Sequence, residues 1–119
     1  MNIETLSPEP ITLIELFGRF DAHVAPEFVN WMDKNKSAQQ GYILVDLEKV
    51  NFIDSTALAT LVKGMKHYRE NGSDLSICNL QQPVRIIFEL TRMDQAFTIY
   101  STREDAINKI RAEYIELQR

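Results

Sequence analysis

The stretch Tyr42–Leu47 (YILVDL) is a near-continuous apolar run, and it constrains the fold more than any other segment of the chain. A strand with one face in water alternates apolar and polar residues, whereas a continuous run is typical of a strand covered on both faces. Such a strand needs a layer of structure on each side. The run therefore favours a mostly parallel sheet with helices packed against it.

Strand-like and helix-like segments alternate along the 119 residues of the chain. Apolar, β-rich segments bounded by turn residues predict strands at residues 3–6, 11–17, 42–47, 74–78 and 97–100. Helical spacing predicts helices from Ala25, over Ser55–Asn71, from Pro83 and after the turn at Ser101. The order β-β-α-β-α-β-α-β-α predicts a mixed, mostly parallel α/β sheet in a single domain of residues 1–119.

Glycines and capping residues predict where several elements begin and end. Gly18 is expected to close the strand at 11–17, and Gly41 to end the first helical segment. Gly64, inside the second helix, indicates close packing. Ser101 and Glu104 match a capping box for the last helix. The apolar side chains expected to face the core from the four helices are Phe28, Trp31 and Met32; Leu58, Leu61, Val62, Met65 and Tyr68; Val84, Ile87 and Leu90; and Ile107, Ile110, Tyr114 and Leu117.

Right-handed crossovers place the carboxyl ends of parallel strands along one edge of a sheet. In open α/β sheets this edge carries the functional surface. Here it is expected to collect three loops, at residues 21–25, 51–56 and 79–82. Asp21, Ser55 and Asn79 should therefore lie at the same edge.

Charge and composition argue against several classes of function. The chain has 13 basic and 17 acidic residues, a net charge of −4, and no run of basic residues. Neither nucleic-acid binding nor a polybasic attachment to membranes is expected. The apolar runs are too short to insert into a bilayer, and the first residues lack the pattern of a secretory signal. One cysteine and two histidines give no basis for a disulfide or a metal centre. We therefore expect a cytoplasmic protein without a cofactor.

The sequence carries no motif of the common catalytic types. The nucleophile elbow and both glycine-rich phosphate loops are absent. Cys78 falls within a predicted strand and is expected to be buried, and Asp46 with Glu48 is expected to be a solvated acidic pair. Asp54 has no lysine or metal ligand beside it in sequence, as a phosphoryl-transfer site would need. The sequence thus favours a binding protein over an enzyme.

The segment Val50–Leu58 (VNFIDSTAL) is the most informative for function, because a strand there gives way to an amphipathic helix. In one interpretation, Asp54 or Ser55 only caps the helix by accepting a backbone amide hydrogen. In the other, the Ser55 hydroxyl is a phosphorylation site. The start of a helix favours an anion, and a phosphate adds a charge of about −1.5 to −2 there.

Several segments match one family in order and spacing: Gly18–Asp21 (GRFD), Leu44–Leu47 (LVDL), Val50–Thr56 (VNFIDST), Asn79–Leu90 and Phe97–Ala106. With them the chain resembles the STAS domain, and most closely the stand-alone anti-sigma factor antagonists of bacteria. The resemblance extends over nearly the whole chain. Its most specific part is the central pair, which is similar to the family's Asp-Leu and Ile-Asp-Ser motif.

This resemblance implies a function. In that family the anti-sigma factor is an ATP-dependent serine kinase, and it phosphorylates the serine that follows the aspartate, here Ser55. The unphosphorylated antagonist binds the anti-sigma factor, the phosphorylated form lets go, and a PP2C-type phosphatase restores the first state. The partner-binding surface implied around Ser55 includes Asp21, Asp54, Thr56 and Asn79.

One residue departs from the family pattern, and one alternative stays open. Ala57 stands where the family usually has glycine, and an added methyl group would keep a partner's backbone farther away. This departure favours a partner that differs from the usual one. The alternative function is that of a STAS accessory subunit that is never phosphorylated, for example in a lipid-transport complex.

Overall fold

The computed structural model describes residues 1–35 and 41–118. Within them the chain forms one mixed sheet with helices on both faces, so the predicted α/β fold is confirmed. The strands are β1 (Asn2–Leu6), β2 (Ile11–Phe20), β3 (Tyr42–Ile53), β4 (Leu75–Cys78) and β5 (Ile99–Tyr100). The helices are α1 (Ala25–Asn35), α2 (Ser55–Glu70), α3 (Gln82–Leu90), α4 (Met93–Ala96) and α5 (Arg103–Leu117). No helix in these described ranges has the length and apolar character needed to cross a membrane.

The strands lie side by side in the order of the sequence, from β1 at one end of the sheet to β5 at the other. β1 runs antiparallel to β2, with Asn2 opposite Glu15 and Leu6 opposite Ile11. From β2 to β5 every neighbouring pair is parallel. The carboxyl ends of these four strands therefore meet at one edge of the sheet.

The sheet separates two apolar clusters, as expected for a strand covered on both faces. All six residues of the segment 42–47 are buried. On one face a large cluster joins the sheet to α1, α2 and α3. On the other face Ala106 and Ile110 of α5 pack over Leu13, Leu44 and Cys78.

α2 packs with the face that its spacing predicts. All five residues expected on that face are buried or partly buried: Leu58, Leu61, Val62, Met65 and Tyr68. A Cβ atom at Gly64 would lie 2.9 Å from both the Leu75 Cδ1 and the Met32 Cε atoms. The close packing predicted at Gly64 is therefore confirmed.

Two strands are longer than predicted. Gly18 does not close β2 but lies inside it with φ of 70°, next to a shift in the register with β3. β3 likewise continues through Phe52 to Ile53, so residues 51–53 belong to a strand and not to a loop. Pairing between the two strands sustains both extensions, because Arg19 lies opposite Phe52 and Phe20 opposite Ile53. Only Asp54 separates β3 from α2.

Helix ends were predicted less accurately. The cap of α5 is Thr102 rather than Ser101, and its side chain accepts a hydrogen bond of 3.0 Å from the Asp105 amide. Leu90 and Leu117 were expected to be buried, but they are 75 % and 62 % exposed, while Phe88 is fully buried. The single turn of α4 was not predicted. α1 ends at Asn35, and residues 36–40, through which the first helical segment was expected to continue, lie outside the described residues.

Candidate functional site

Each of the three positions expected at one edge of the sheet follows the end of a parallel strand. Asp21 comes directly after β2, Ser55 lies two residues beyond the end of β3, and Asn79 follows β4. Because the parallel strands end together, all three lie at the carboxyl edge. Their side chains, however, make different contacts.

Asp54 is the cap of α2, with an extended backbone at φ −107° and ψ 176°. Its Oδ1 atom accepts a hydrogen bond of 2.8 Å from the Ala57 amide, and its Oδ2 atom accepts one of 2.9 Å from the Ala22 amide. The amide of Asp54 itself donates to the Phe20 carbonyl at 3.3 Å. The bonds from Ala57 and then Ala22 lower the pKa of the Asp54 carboxyl below its usual value. Of the two residues considered as a cap, Asp54 has that role.

Ser55 and Thr56 are the first two residues of α2, and both are exposed. Within the described residues, the Ser55 hydroxyl has no hydrogen-bond partner, because the cap is supplied by its neighbour. The first turn of α2 carries no acidic side chain. A phosphate on Ser55 would therefore stand at a helix N-terminus, in solvent, without breaking an existing bond of the hydroxyl.

Asp21 shapes the loop between β2 and α1, next to Asp54. Its Oδ1 atom accepts hydrogen bonds from the amides of His23 and Val24 at 3.0 and 3.2 Å. Its Oδ2 atom lies 3.5 Å from the Nε of Arg19, whose guanidinium stacks 3.8 Å from the centroid of the Phe52 ring. Asp21 and Asp54 lie near each other because Ala22, the residue after Asp21, donates its amide hydrogen to the Oδ2 of Asp54.

Asn79 is directed elsewhere. It has φ of 60°, and its side chain donates a hydrogen bond of 3.2 Å to the Oδ1 of Asp46. Arg103, the first residue of α5, donates to the Oδ2 of Asp46 at 2.9 Å and to Glu15 at 2.8 Å. Asn79 thus joins a polar cluster on the face of the sheet that α5 covers, whereas Ser55 begins a helix on the opposite face.

Asp46 was expected to be a solvated residue, and this expectation is wrong. Its side chain is fully buried, and only Glu48 of the pair is exposed. Three groups satisfy its carboxylate: the Arg103 guanidinium, the Asn79 amide and the backbone amide of Glu48 at 2.9 Å. A buried carboxylate is tolerated when it is paired and hydrogen-bonded in this way.

A groove of about 400 Å³ begins at Ser55 and follows α2, a feature that sequence reasoning missed. One wall consists of α2 side chains. The other consists of Thr91, which precedes α4, and Met93, the first residue of α4. Thr56 does not line it. The α2 residues that line it are Ser55, Leu58, Ala59, Val62, Lys63 and Lys66. Their spacing was visible in the sequence, but the opposing wall was not.

Two further residues have clear positions. Ala57 is fully buried in the larger cluster, so its methyl group faces the core and not a partner. The expectation that this residue would alter a partner's approach is therefore wrong. Cys78 is also fully buried, as predicted, and burial followed by the charge of Asp46 raises the pKa of its thiol to about 12. A thiol in this state is a poor nucleophile.

Comparisons with known proteins concern the family and the fold of this chain. The anti-sigma-B factor antagonist of Staphylococcus aureus is 28% identical over 91 residues, which cover 76% of this chain and 84% of that protein. An anti-sigma-factor antagonist (STAS) domain protein from Planctomyces limnophilus has a similar structure, with a TM-score of 0.79 at 23% identity over 91% of this chain and 97% of the other.

SpoIIAA, an anti-sigma factor antagonist and cell fate determinant of Bacillus, is similar in two solved forms. The TM-score is 0.81 for the unphosphorylated form, at 20% identity, with 93% of this chain and 96% of the other covered. It is 0.71 for the phosphorylated form, at 19% identity, with 92% and 97% covered. These likenesses concern the fold. A family model described as the STAS domain matches residues 2–106, which is most of the chain, and the protein therefore belongs to the STAS domain family.

Proposed function

We propose that this protein is an anti-sigma factor antagonist switched by phosphorylation at Ser55. Its unphosphorylated form binds an anti-sigma factor that is also an ATP-dependent serine kinase. The kinase transfers the γ-phosphoryl group of ATP to the Ser55 oxygen, and the phosphorylated protein is released. A PP2C-type phosphatase hydrolyses the phosphoester and restores the hydroxyl. The protein is a substrate and a binding partner in this cycle, not an enzyme, and it acts in the cytoplasm.

The exposed, unbonded hydroxyl of Ser55 is the observation that carries this proposal. A serine at the start of a helix most often serves as its cap, and then its oxygen is occupied. Here Asp54 caps α2 with a bond of 2.8 Å to Ala57. The Ser55 hydroxyl therefore has no structural role among the described residues and is accessible to a kinase.

The same geometry supports Ser55 over Thr56. Both hydroxyls are exposed, but only Ser55 lines the groove along α2. A phosphate at Ser55 would place a charge of about −1.5 to −2 at one end of the groove along α2. Burying that charge against a partner costs several kcal/mol unless it is paired. The phosphate would thus oppose docking without any change of fold.

The direct test is phosphate transfer followed by mass spectrometry. Unmodified protein is used to capture its partner from the cytosol of its source, and the purified partner is incubated with ATP and each variant. We expect wild type and Thr56→Val to gain one phosphate, and Ser55→Ala to gain none. Phosphate on Thr56 alone would mean that Thr56, and not Ser55, is the residue that is phosphorylated. A partner that binds but transfers no phosphate to any variant would contradict the proposal and favour an unphosphorylated accessory subunit.

A further inference from the structure

The groove along α2 has an apolar floor and a basic far end. Leu58 and Val62 line its middle, and Lys63 and Lys66 line the part farthest from Ser55. From Ser55 to Lys66 the groove follows α2 for about 17 Å, or three helical turns. This length suits a short helical segment laid between α2 and the Thr91–Met93 wall.

The charge of the groove is opposite to that of the whole chain. The protein has a net charge of −4, yet the residues lining the groove include two lysines and no acidic residue. In the described part of the chain, neither Lys63 nor Lys66 forms an ion pair. Several other cations are paired, as Arg111 is with Glu9 at 3.1 Å. The groove is thus a local basic surface on an acidic protein.

We propose that this groove binds an acidic amphipathic helix of the anti-sigma factor, and that Lys63 and Lys66 select it by charge. This inference rests on the proposed function and names the chemistry of the segment that docks. Apolar side chains of the segment lie against Leu58 and Val62, and its carboxylates pair with the two lysines. Complementary charge of this kind mainly sets which partner is chosen and how fast it binds.

Ser55 lies at the other end of the same groove, and this position determines that phosphorylation weakens binding. A phosphate there repels the acidic helix that the lysines attract. Release therefore needs no rearrangement of the fold, because the two charges act on one bound segment. The attraction and the repulsion are both screened by salt.

The test measures the affinity of the purified anti-sigma factor that phosphorylates Ser55, at about 50 and about 300 mM salt. We expect the double variant Lys63→Glu/Lys66→Glu to bind about tenfold more weakly than wild type at low salt, and to lose most of the salt dependence. The affinity of the Lys63→Gln/Lys66→Gln variant should lie between those of wild type and the charge-reversed variant. It serves as the test if the charge-reversed variant does not fold. Lys34→Glu, an exposed lysine on α1 outside the groove, is the matched control and should bind within about twofold of wild type.

The outcomes separate this inference from the proposed function. If the kinase phosphorylates Ser55 and releases the product, but both double variants bind as tightly as wild type, the basic groove does not select the partner. Tighter binding by the charge-reversed variant would mean a basic segment docks there, and would also contradict the inference. If no anti-sigma factor binds the wild type or phosphorylates it, the proposed function fails and this inference fails with it.

Discussion

The Oδ2 atom of Asp54 accepts a hydrogen bond of 2.9 Å from the backbone amide of Ala22, a residue 32 positions earlier in the chain. The Oδ1 atom of the same carboxylate caps α2 through Ala57 at 2.8 Å. One side chain therefore holds the loop after β2 and the start of α2 together. It thereby links the loop that carries Asp21 to the first turn of α2, which carries Ser55.

Two replacements of Asp54 should distinguish the contributions of its two hydrogen bonds to stability. Asp54→Ala removes both acceptors, whereas Asp54→Asn keeps one amide oxygen that can still cap α2 but presents an NH₂ group to the second amide. We expect the melting temperature to fall for both variants, and further for Asp54→Ala. Equal melting temperatures for all three proteins would mean that the bond network at Asp54 does not stabilise the fold.

The contribution of Asp54 should depend on pH. Its pKa is lowered in the fold, so its charged form is the one that the bonds from Ala57 and Ala22 stabilise. That stability is present above the unfolded pKa of about 3.9 and is lost as the pH falls through the lower folded pKa. The difference in melting temperature between wild type and Asp54→Asn should thus be largest near neutral pH and shrink in acid. A difference that grows in acid would contradict this assignment.

Arg103 should matter more to stability than other arginines on α5. It pairs with Asp46, which is fully buried, through contacts of 2.8 and 2.9 Å. Arg103→Met would leave that carboxylate without its cation, at a cost of about 2–4 kcal/mol in the free energy of unfolding. Arg111→Met breaks a more exposed pair with Glu9 on the same helix and should cost less than about 1 kcal/mol.

Denaturant unfolding of the two arginine variants provides the comparison. The double variant Arg103→Met/Asp46→Leu should recover part of the loss, because it also removes the buried charge. If Arg103→Met unfolds at the same denaturant concentration as Arg111→Met, the buried pair is not the stronger anchor of α5.

Cys78 should react slowly with thiol reagents in the native protein. It is fully buried, and the pKa of its thiol is raised to about 12, so little thiolate is available at about pH 8. Labelling should become rapid in guanidinium chloride. Since Cys78 is the only cysteine, the signal needs no correction for other sites. Complete labelling of the folded protein within seconds would contradict its placement beneath α5.

Acidic mimics at Ser55 should leave the fold unchanged. An anion at an exposed helix N-terminus gains about 0.3–1 kcal/mol, and the neighbouring charge of Asp54 opposes it by a similar amount. Ser55→Glu and Ser55→Ala should therefore melt within about 3 °C of wild type. A larger fall for Ser55→Glu alone would indicate that the phosphate acts by disturbing the fold.

Local patterns made the sheet and its longer helices predictable from the sequence. The run at Tyr42–Leu47 and the spacing along α2 each depend on neighbouring residues, and both predictions agree with the structure. The cap of α5 was misplaced by one residue because Ser101 and Thr102 are both good caps, and the choice depends on which side chain reaches an amide. Leu117 fits a helical stripe, but its side chain lies near the end of α5 and is 62 % exposed.

Long-range contacts explain what the sequence could not predict at the site. Asp46 looked like a surface acid because its partner Arg103 lies 57 residues away in the chain. The groove needs both α2 and the wall formed by Thr91 and Met93. The single turn α4, which begins at Met93, has too few residues to show a helical period. Asp54 and Ser55 could both be singled out from the sequence, but only the observed bonds assign the cap to Asp54.

The most direct test of the switch is the affinity of the purified anti-sigma factor for this protein before and after phosphorylation at Ser55, measured by calorimetry beside the melting temperature of each form. We expect the phosphorylated protein to bind about tenfold or more weakly while its melting temperature stays close to that of the unmodified form. Ser55→Ala should bind as the unmodified protein does and should not respond to ATP. If the phosphorylated protein and Ser55→Glu both bind as tightly as wild type, Ser55 is not the switch.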